Sequence, residues 1–166
     1  SYQDGTGAIH ILSLKDDGSV TSAVEINNLD LGLGQWDFFG ASIASMGDVN
    51  NDGVNDLAVG TPGVDSEKAS TGAVYILLMG ANGEVINTVE ISNATVPALN
   101  LDSYYSFGQS VANIGDIDGD GINDLAVGAS GADRGTGAVY ILYMGESGTV
   151  KKPVKFSGAT SNFLSL

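Results

Sequence analysis

The sequence predicts an all-β chain built from tandem four-stranded antiparallel meanders. Three observations carry this. The chain repeats itself, because Phe39-Gly40 recurs as Phe107-Gly108 and the stretch Asp48 to Gly60 recurs as Asp116 to Gly128, both 68 residues on. Short segments rich in Val, Ile, Ala and Tyr show no sustained helical period. A turn-forming pair ending in Gly stands at the same place in each unit, as Asp17-Gly18, Asn82-Gly83 and Ser147-Gly148. Helix content should be close to nil.

The elements follow in order. Residues 1–38 form a partial unit, with only its third and fourth strands and a connector, and Gly7-Ala8-Ile9-His10-Ile11-Leu12 is its third strand. Residues 39–106 form a full unit, with strands expected near Gly40–Met46, Asp56–Gly60, Gly72–Met79 and Val85–Ile91. Residues 107–166 form a second unit that stops short of a next Phe-Gly. Gly72-Ala73-Val74-Tyr75-Ile76-Leu77 returns as Gly137-Ala138-Val139-Tyr140-Ile141-Leu142, now 65 residues on. The three residues lost between the copies match Ser66-Glu67-Lys68 in a loop. The third and fourth strands should be joined by two-residue hairpins, since Asn-Gly and Asp-Gly supply the positive φ values these need.

Composition narrows the function. With 20 acids against six bases the formal charge is −14, so a phosphate backbone is repelled and nucleic acid is excluded as a partner. No apolar run of about 18 residues is present, so no helical membrane span is expected. The 166 residues hold no cysteine, which removes thiolate metal sites and cysteine nucleophiles. The single histidine, His10, reads as an ordinary strand residue, and no pair of uncommitted carboxylates stands out. The chain is read as non-enzymatic.

The chemistry sits in two acidic loops with the pattern D-x-[DN]-x-[DN]-G-x-x-D. In the first, Asp48, Asn50, Asp52 and Asp56 offer side-chain oxygens and Val54 a backbone carbonyl. In the second the same places are held by Asp116, Asp118, Asp120, Asp124 and Ile122. Oxygens at this spacing wrap a hard cation, and calcium takes six to eight of them at about 2.3–2.6 Å with tolerant geometry. Crowded carboxylates repel one another unless a cation sits among them. An EF-hand would need Glu at position twelve and flanking helices, but Val59 and Val127 stand there within strands. Magnesium keeps its waters and demands an octahedron, so two calcium ions are expected as cofactors. The second loop, with four carboxylates to three, should bind more tightly.

Phe-Gly, an Asp-rich loop, a Gly-x-x triplet and Gly-Ala-Val-Tyr together resemble the FG-GAP repeat of integrin α-subunit heads. Gly60-Thr61-Pro62 and Gly128-Ala129-Ser130 occupy the Gly-Ala-Pro place imperfectly. The resemblance implies β-propeller blades, calcium at the ten positions above, and an adhesive or structural role at the cell surface or outside the cell. It implies other protein chains as partners and no catalysis. About two and a half units cannot close a ring, so the open edges invite pairing with another chain. Two expectations follow: a piece of a larger propeller, or self-assembly of copies into a ring or filament. The chain starts at Ser1 without Met, as a mature or trimmed product would. A β-sandwich is the alternative fold.

Three smaller signals remain. Asn93-Ala94-Thr95 is an N-glycosylation sequon, which admits a glycan on Asn93. Trp36, Phe38, Phe39, Tyr104, Tyr105 and Phe107 form either a wedge between sheets or the face of a carbohydrate-binding module, the rival function. Lys151, Lys152 and Lys155 lie together on one late strand, where they guard an edge or meet an acidic loop.

Overall fold

The computed structural model describes residues 7–65 and 69–158. The surplus Ser66-Glu67-Lys68 and the stretch 159–166 lie outside the described residues. Strands β1 (Ala8–Leu14) and β2 (Val20–Asn27) form a two-stranded sheet. Strands β3 (Ser42–Gly47), β4 (Asp56–Thr61), β5 (Ala73–Met79) and β6 (Val85–Ile91) form a four-stranded one. The second such sheet comprises β7 (Phe107–Gly115), β8 (Asp124–Ala129), β9 (Ala138–Gly145) and β10 (Thr149–Ser157). Every pairing within the named strands is antiparallel between sequence neighbours, so each sheet is a meander, and an isolated parallel bridge joins Gly72 to Phe107 between sheets. The register repeats as well: Val59 pairs with Ile43 and Tyr75, and Val127 pairs with Val111 and Tyr140.

Helical structure among the described residues is confined to short turns. Three are 3-10 turns, and the fourth, Ala132–Gly135, has Asp133 and Arg134 at positive φ and so is not a regular helix. The two-residue hairpin expectation needs correction at all three places. At Lys15–Ser19 and Gly80–Glu84 a four-residue turn is followed by Gly18 or Gly83 at positive φ, which gives a three-residue loop with a bulge. Asp17 and Asn82 therefore sit inside the first turn rather than as half of a primed pair. At the third place Ser147 and Gly148 both take positive φ and the Thr149 N–H donates to the Glu146 carbonyl, but the register pairs Thr149 with Gly145, so three residues again lie between the strands.

The sheets meet as propeller blades do, closest at their first strands, and the sandwich alternative is set aside. Ser42 Oγ donates to the Gly108 carbonyl at 2.9 Å, and Asn113 Nδ2 to the Ser45 carbonyl at 2.7 Å. Phe107 is fully buried between the two four-stranded sheets, edge-on to Tyr140 with ring centroids 5.3 Å apart. Phe39 occupies the matching place one sheet earlier and is 3% exposed. The backbone of each Phe-Gly strand runs against the third strand of the preceding unit. A Cβ on Gly72 would lie 2.1 Å from the Phe107 carbonyl oxygen, and one on Gly7 1.7 Å from that of Phe39. The two glycine motifs are thus the two sides of one contact.

The central strand β5 is buried along its whole length, because one sheet packs on each of its faces. Its counterpart β9 alternates instead, with Val139 45% exposed where Val74 is wholly buried. Val139, Ile141 and Phe156 line an open apolar depression of about 880 Å³ on that outer face.

Candidate metal centre

The two acidic loops join β3 to β4 and β7 to β8, and their first and last acids play different parts. Asp56 and Asp124 open the second strand of each sheet and are wholly buried. Asp56 Oδ2 accepts the Val49 N–H at 2.9 Å and Oδ1 the Met79 N–H at 2.9 Å. Asp124 repeats this with Ile117 and Met144 at 2.9 and 2.8 Å. A buried carboxylate is tolerated here because amides on both sides neutralise it. Each oxygen keeps a second lone pair, so this role does not consume the carboxylate's capacity as a ligand.

The first acid of each loop is a backbone staple. Asp48 accepts the N–H groups of Asp52 and Gly53, at 3.0 and 2.8 Å. Asp116 accepts those of Gly119, Asp120 and Gly121, at 2.7, 3.1 and 2.7 Å. The Gly121 bond leads in holding the Asp116 carboxyl below its ordinary value. Positive φ is needed twice per loop, at Asn51 and Gly53 and again at Gly119 and Gly121. Asn51 stands where the other loop has glycine, and Asn is the residue that best tolerates this region after Gly. Val54 and Ile122 follow with their N–H groups held by Asp52 and Asp120 Oδ1, at 2.8 and 2.9 Å.

This folding brings the middle acids together. Ligand oxygens of Asp116, Asp118 and Asp120 all lie within 4.8 Å of one another on the exposed side of the second loop. In the first loop the corresponding residues are Asp48, Asn50 and Asp52, with Asn50 Nδ2 donating to Asp52 Oδ2 at 2.8 Å. An all-oxygen donor set on a short loop suits a hard dication and offers nothing to a soft one. The loops lie at the same end of adjacent sheets. Asn123 Nδ2 reaches the Met46 carbonyl at 3.0 Å, and the Ser147 N–H reaches the Val49 carbonyl at 2.8 Å.

Lys151 was legible only as one of three late lysines. Its Nζ stands 2.6 Å from Asp118 Oδ2 and 2.5 Å from Asp120 Oδ2. That bond is the chief reason the Asp120 carboxyl sits below its ordinary value, and the pairing in turn raises the lysine. Lys155 makes a separate pair with Asp133 at 2.6 Å and lies 4.9 Å from the Tyr105 ring centroid. Lys152 lies 5.8 Å from the Tyr143 ring centroid.

The remaining sequence candidates divide. Phe39 and Phe107 are buried wedges, whereas Trp36, Phe38 and Tyr104 are exposed. Asn93 is 9% exposed, and its Oδ1 accepts the Leu101 N–H at 2.9 Å. Its repeat counterpart Asn28 is also buried and donates to the Leu33 and Gly34 carbonyls at 3.2 and 3.3 Å. This lacing of the loop after the fourth strand escaped sequence reading, although the two asparagines fall 65 residues apart. His10 is an exposed strand residue 3.8 Å from Glu25.

Comparison with known proteins agrees with this geometry. The FG-GAP repeat model matches residues 39–77 and 107–142. Integrin alpha-PS5 of Drosophila melanogaster is 41% identical over 105 residues, which is 62% of this chain and 9% of that protein. Integrin alpha-3 of Cricetulus griseus is 35% identical over 150 residues, 89% of this chain and 13% of the relative. Integrin alpha-5 of Xenopus laevis is 34% identical over 122 residues, 70% and 11% respectively. The chain therefore spans only about a tenth of the length of these relatives.

Proposed function

The chain carries FG-GAP repeats and is a homologue of integrin α subunits, and from that premise we propose that it is a calcium-stabilised, non-catalytic segment of an adhesive β-propeller. Those relatives are extracellular or cell-surface proteins, and the same setting is assigned here. The observation that carries the reading is the acidic loop formed twice at the same point of successive sheets, with oxygens of Asp116, Asp118 and Asp120 converging in one copy. Asp48, Asn50, Asp52 and Asp56 with the Val54 carbonyl would hold one calcium. Asp116, Asp118, Asp120 and Asp124 with the Ile122 carbonyl would hold the other.

Bound calcium supplies charge neutralisation. The chain's own residues do the rest: amides preset the first acid, buried Asp56 and Asp124 tie the loop to the third strand, and both loops brace neighbouring sheets. Two dications would reduce the formal charge from −14 to −10. Extracellular calcium modules bind at about 10⁻⁴–10⁻³ M, which suits a structural ion in a calcium-rich setting. Isothermal titration calorimetry with calcium should give two sites, each removed by its own variant, Asp52→Ala or Asp120→Ala. Heatless titration of the unaltered chain, or stoichiometry unaffected by both variants, would reject the calcium reading.

Partners are other protein chains. The apolar depression on β9 and β10 supports a further sheet there, because the same face of β5 is covered by the next unit. That sheet belongs either to a longer propeller or to another copy of the chain. Light scattering in millimolar calcium separates these, since only self-assembly gives a mass that grows with concentration.

A further inference from the structure

The two loops differ in a paired way. At the third loop position the first has Asn50 and the second Asp118, which adds a negative charge. On the fourth strand beside each loop, β6 has Ile86 where β10 has Lys151. Ile86 is 61% exposed and offers the first loop no charge, whereas Lys151 reaches both Asp118 and Asp120. The extra acid and the extra base thus arrive together. Asp48, Asp52 and Asp56 carry the same formal charge as Asp116, Asp118, Asp120 and Asp124 taken with Lys151.

We propose that Lys151 is a tethered counter-cation that occupies the second loop in the absence of metal and competes with calcium for Asp118 and Asp120. The proposal rests on the calcium reading above. A lysine suits the task because its ammonium is a compact charge on a flexible four-carbon stem, free to swing into water while β10 stays in place. The first loop needs no such device, since the Asn50–Asp52 hydrogen bond closes it with one carboxylate fewer. The carboxylate count alone ranks the second loop as the tighter site. Lys151 offsets that advantage, so the unaltered second loop binds calcium no more tightly than the first.

The test is a calcium titration followed by NMR at the Gly53 and Gly121 amides. Their N–H groups bond to Asp48 Oδ2 and Asp116 Oδ2 and report the two loops separately. In Lys151→Met the affinity read at Gly121 should rise several-fold, up to about tenfold, as expected when two half-exposed ion pairs need no longer be broken. The affinity read at Gly53 should not change. Lys151→Arg, which keeps the charge, should leave Gly121 close to its unaltered value. In EDTA, Lys151→Met should melt below the unaltered chain, because the acids then lack any cation. An unchanged or weakened affinity at Gly121 in Lys151→Met overturns the proposal while leaving calcium binding intact. If neither amide responds in the unaltered chain, the calcium reading fails and the competition fails with it.

Discussion

Phe107 and Gly72 show how much a single residue can decide in this chain. Phe107 fills the space between two sheets, so Phe107→Ala should cost about 3–5 kcal/mol in denaturant unfolding. Gly72 has a φ of +85° and faces the Phe107 carbonyl, and Gly72→Ala meets both strain and overlap. About 2–5 kcal/mol of destabilisation is expected there, read from the same unfolding curves. The Asp124 carboxylate is held by two amides, and Asp124→Asn would set a donor against one of them. A loss of about 1–3 kcal/mol should appear in EDTA, where no metal contributes. Equal stability of Asp124→Asn and the unaltered chain would show that the buried carboxylate does not pin the loop to β9.

At the scale of the element, the strand positions were legible to within about two residues, because alternation and turn residues report directly on local backbone. The acidic stretches were legible as loops for the same reason, since their Asp, Asn and Gly spacing is sequential. What sequence did not disclose depends on groups distant along the chain. Asp56 and Asp124 reach the amides of Met79 and Met144, 23 and 20 residues on, and Lys151 reaches Asp118 across 33. The hairpins were misread because Asp-Gly and Asn-Gly serve a bulged three-residue loop as well as a primed turn. The aromatic cluster was split by burial, a property of the assembled sheets that no local pattern encodes. The Lys155–Asp133 pair gives the loop after β8 a dependence on pH. The hydrogen bond from Lys155 leads in holding the Asp133 carboxyl below its ordinary value. The stabilisation is therefore present above the unfolded value and is lost as pH falls through the lower folded one. Thermal midpoints of Asp133→Asn should be lower than those of the unaltered chain near neutral pH and converge with them as pH falls through the lowered folded value. A constant gap across that range would contradict the pairing.

For the whole molecule, each sheet is completed by its neighbour. The Phe-Gly segment of one unit lies on the glycine-led third strand of the unit before, and the acidic loops meet at one end of that junction. Removing calcium should therefore loosen contacts between sheets as well as the loops themselves. Among the described residues this mutual cover stops at the exposed face of β9 and at the outer face of β1 and β2, where Leu12, Leu14 and Val20 are exposed, and a further sheet is expected on β9.

The most direct measurement is the thermal midpoint of the chain in about 10 mM calcium against excess EDTA. At affinities of about 10⁻⁴–10⁻³ M each site would add about 1.4–2.7 kcal/mol, a rise of several degrees for a domain of this size. The midpoint should rise with calcium, rise less with magnesium, and rise less with calcium when either Asp52→Ala or Asp120→Ala is introduced. Midpoints that coincide in calcium and EDTA would contradict the calcium reading.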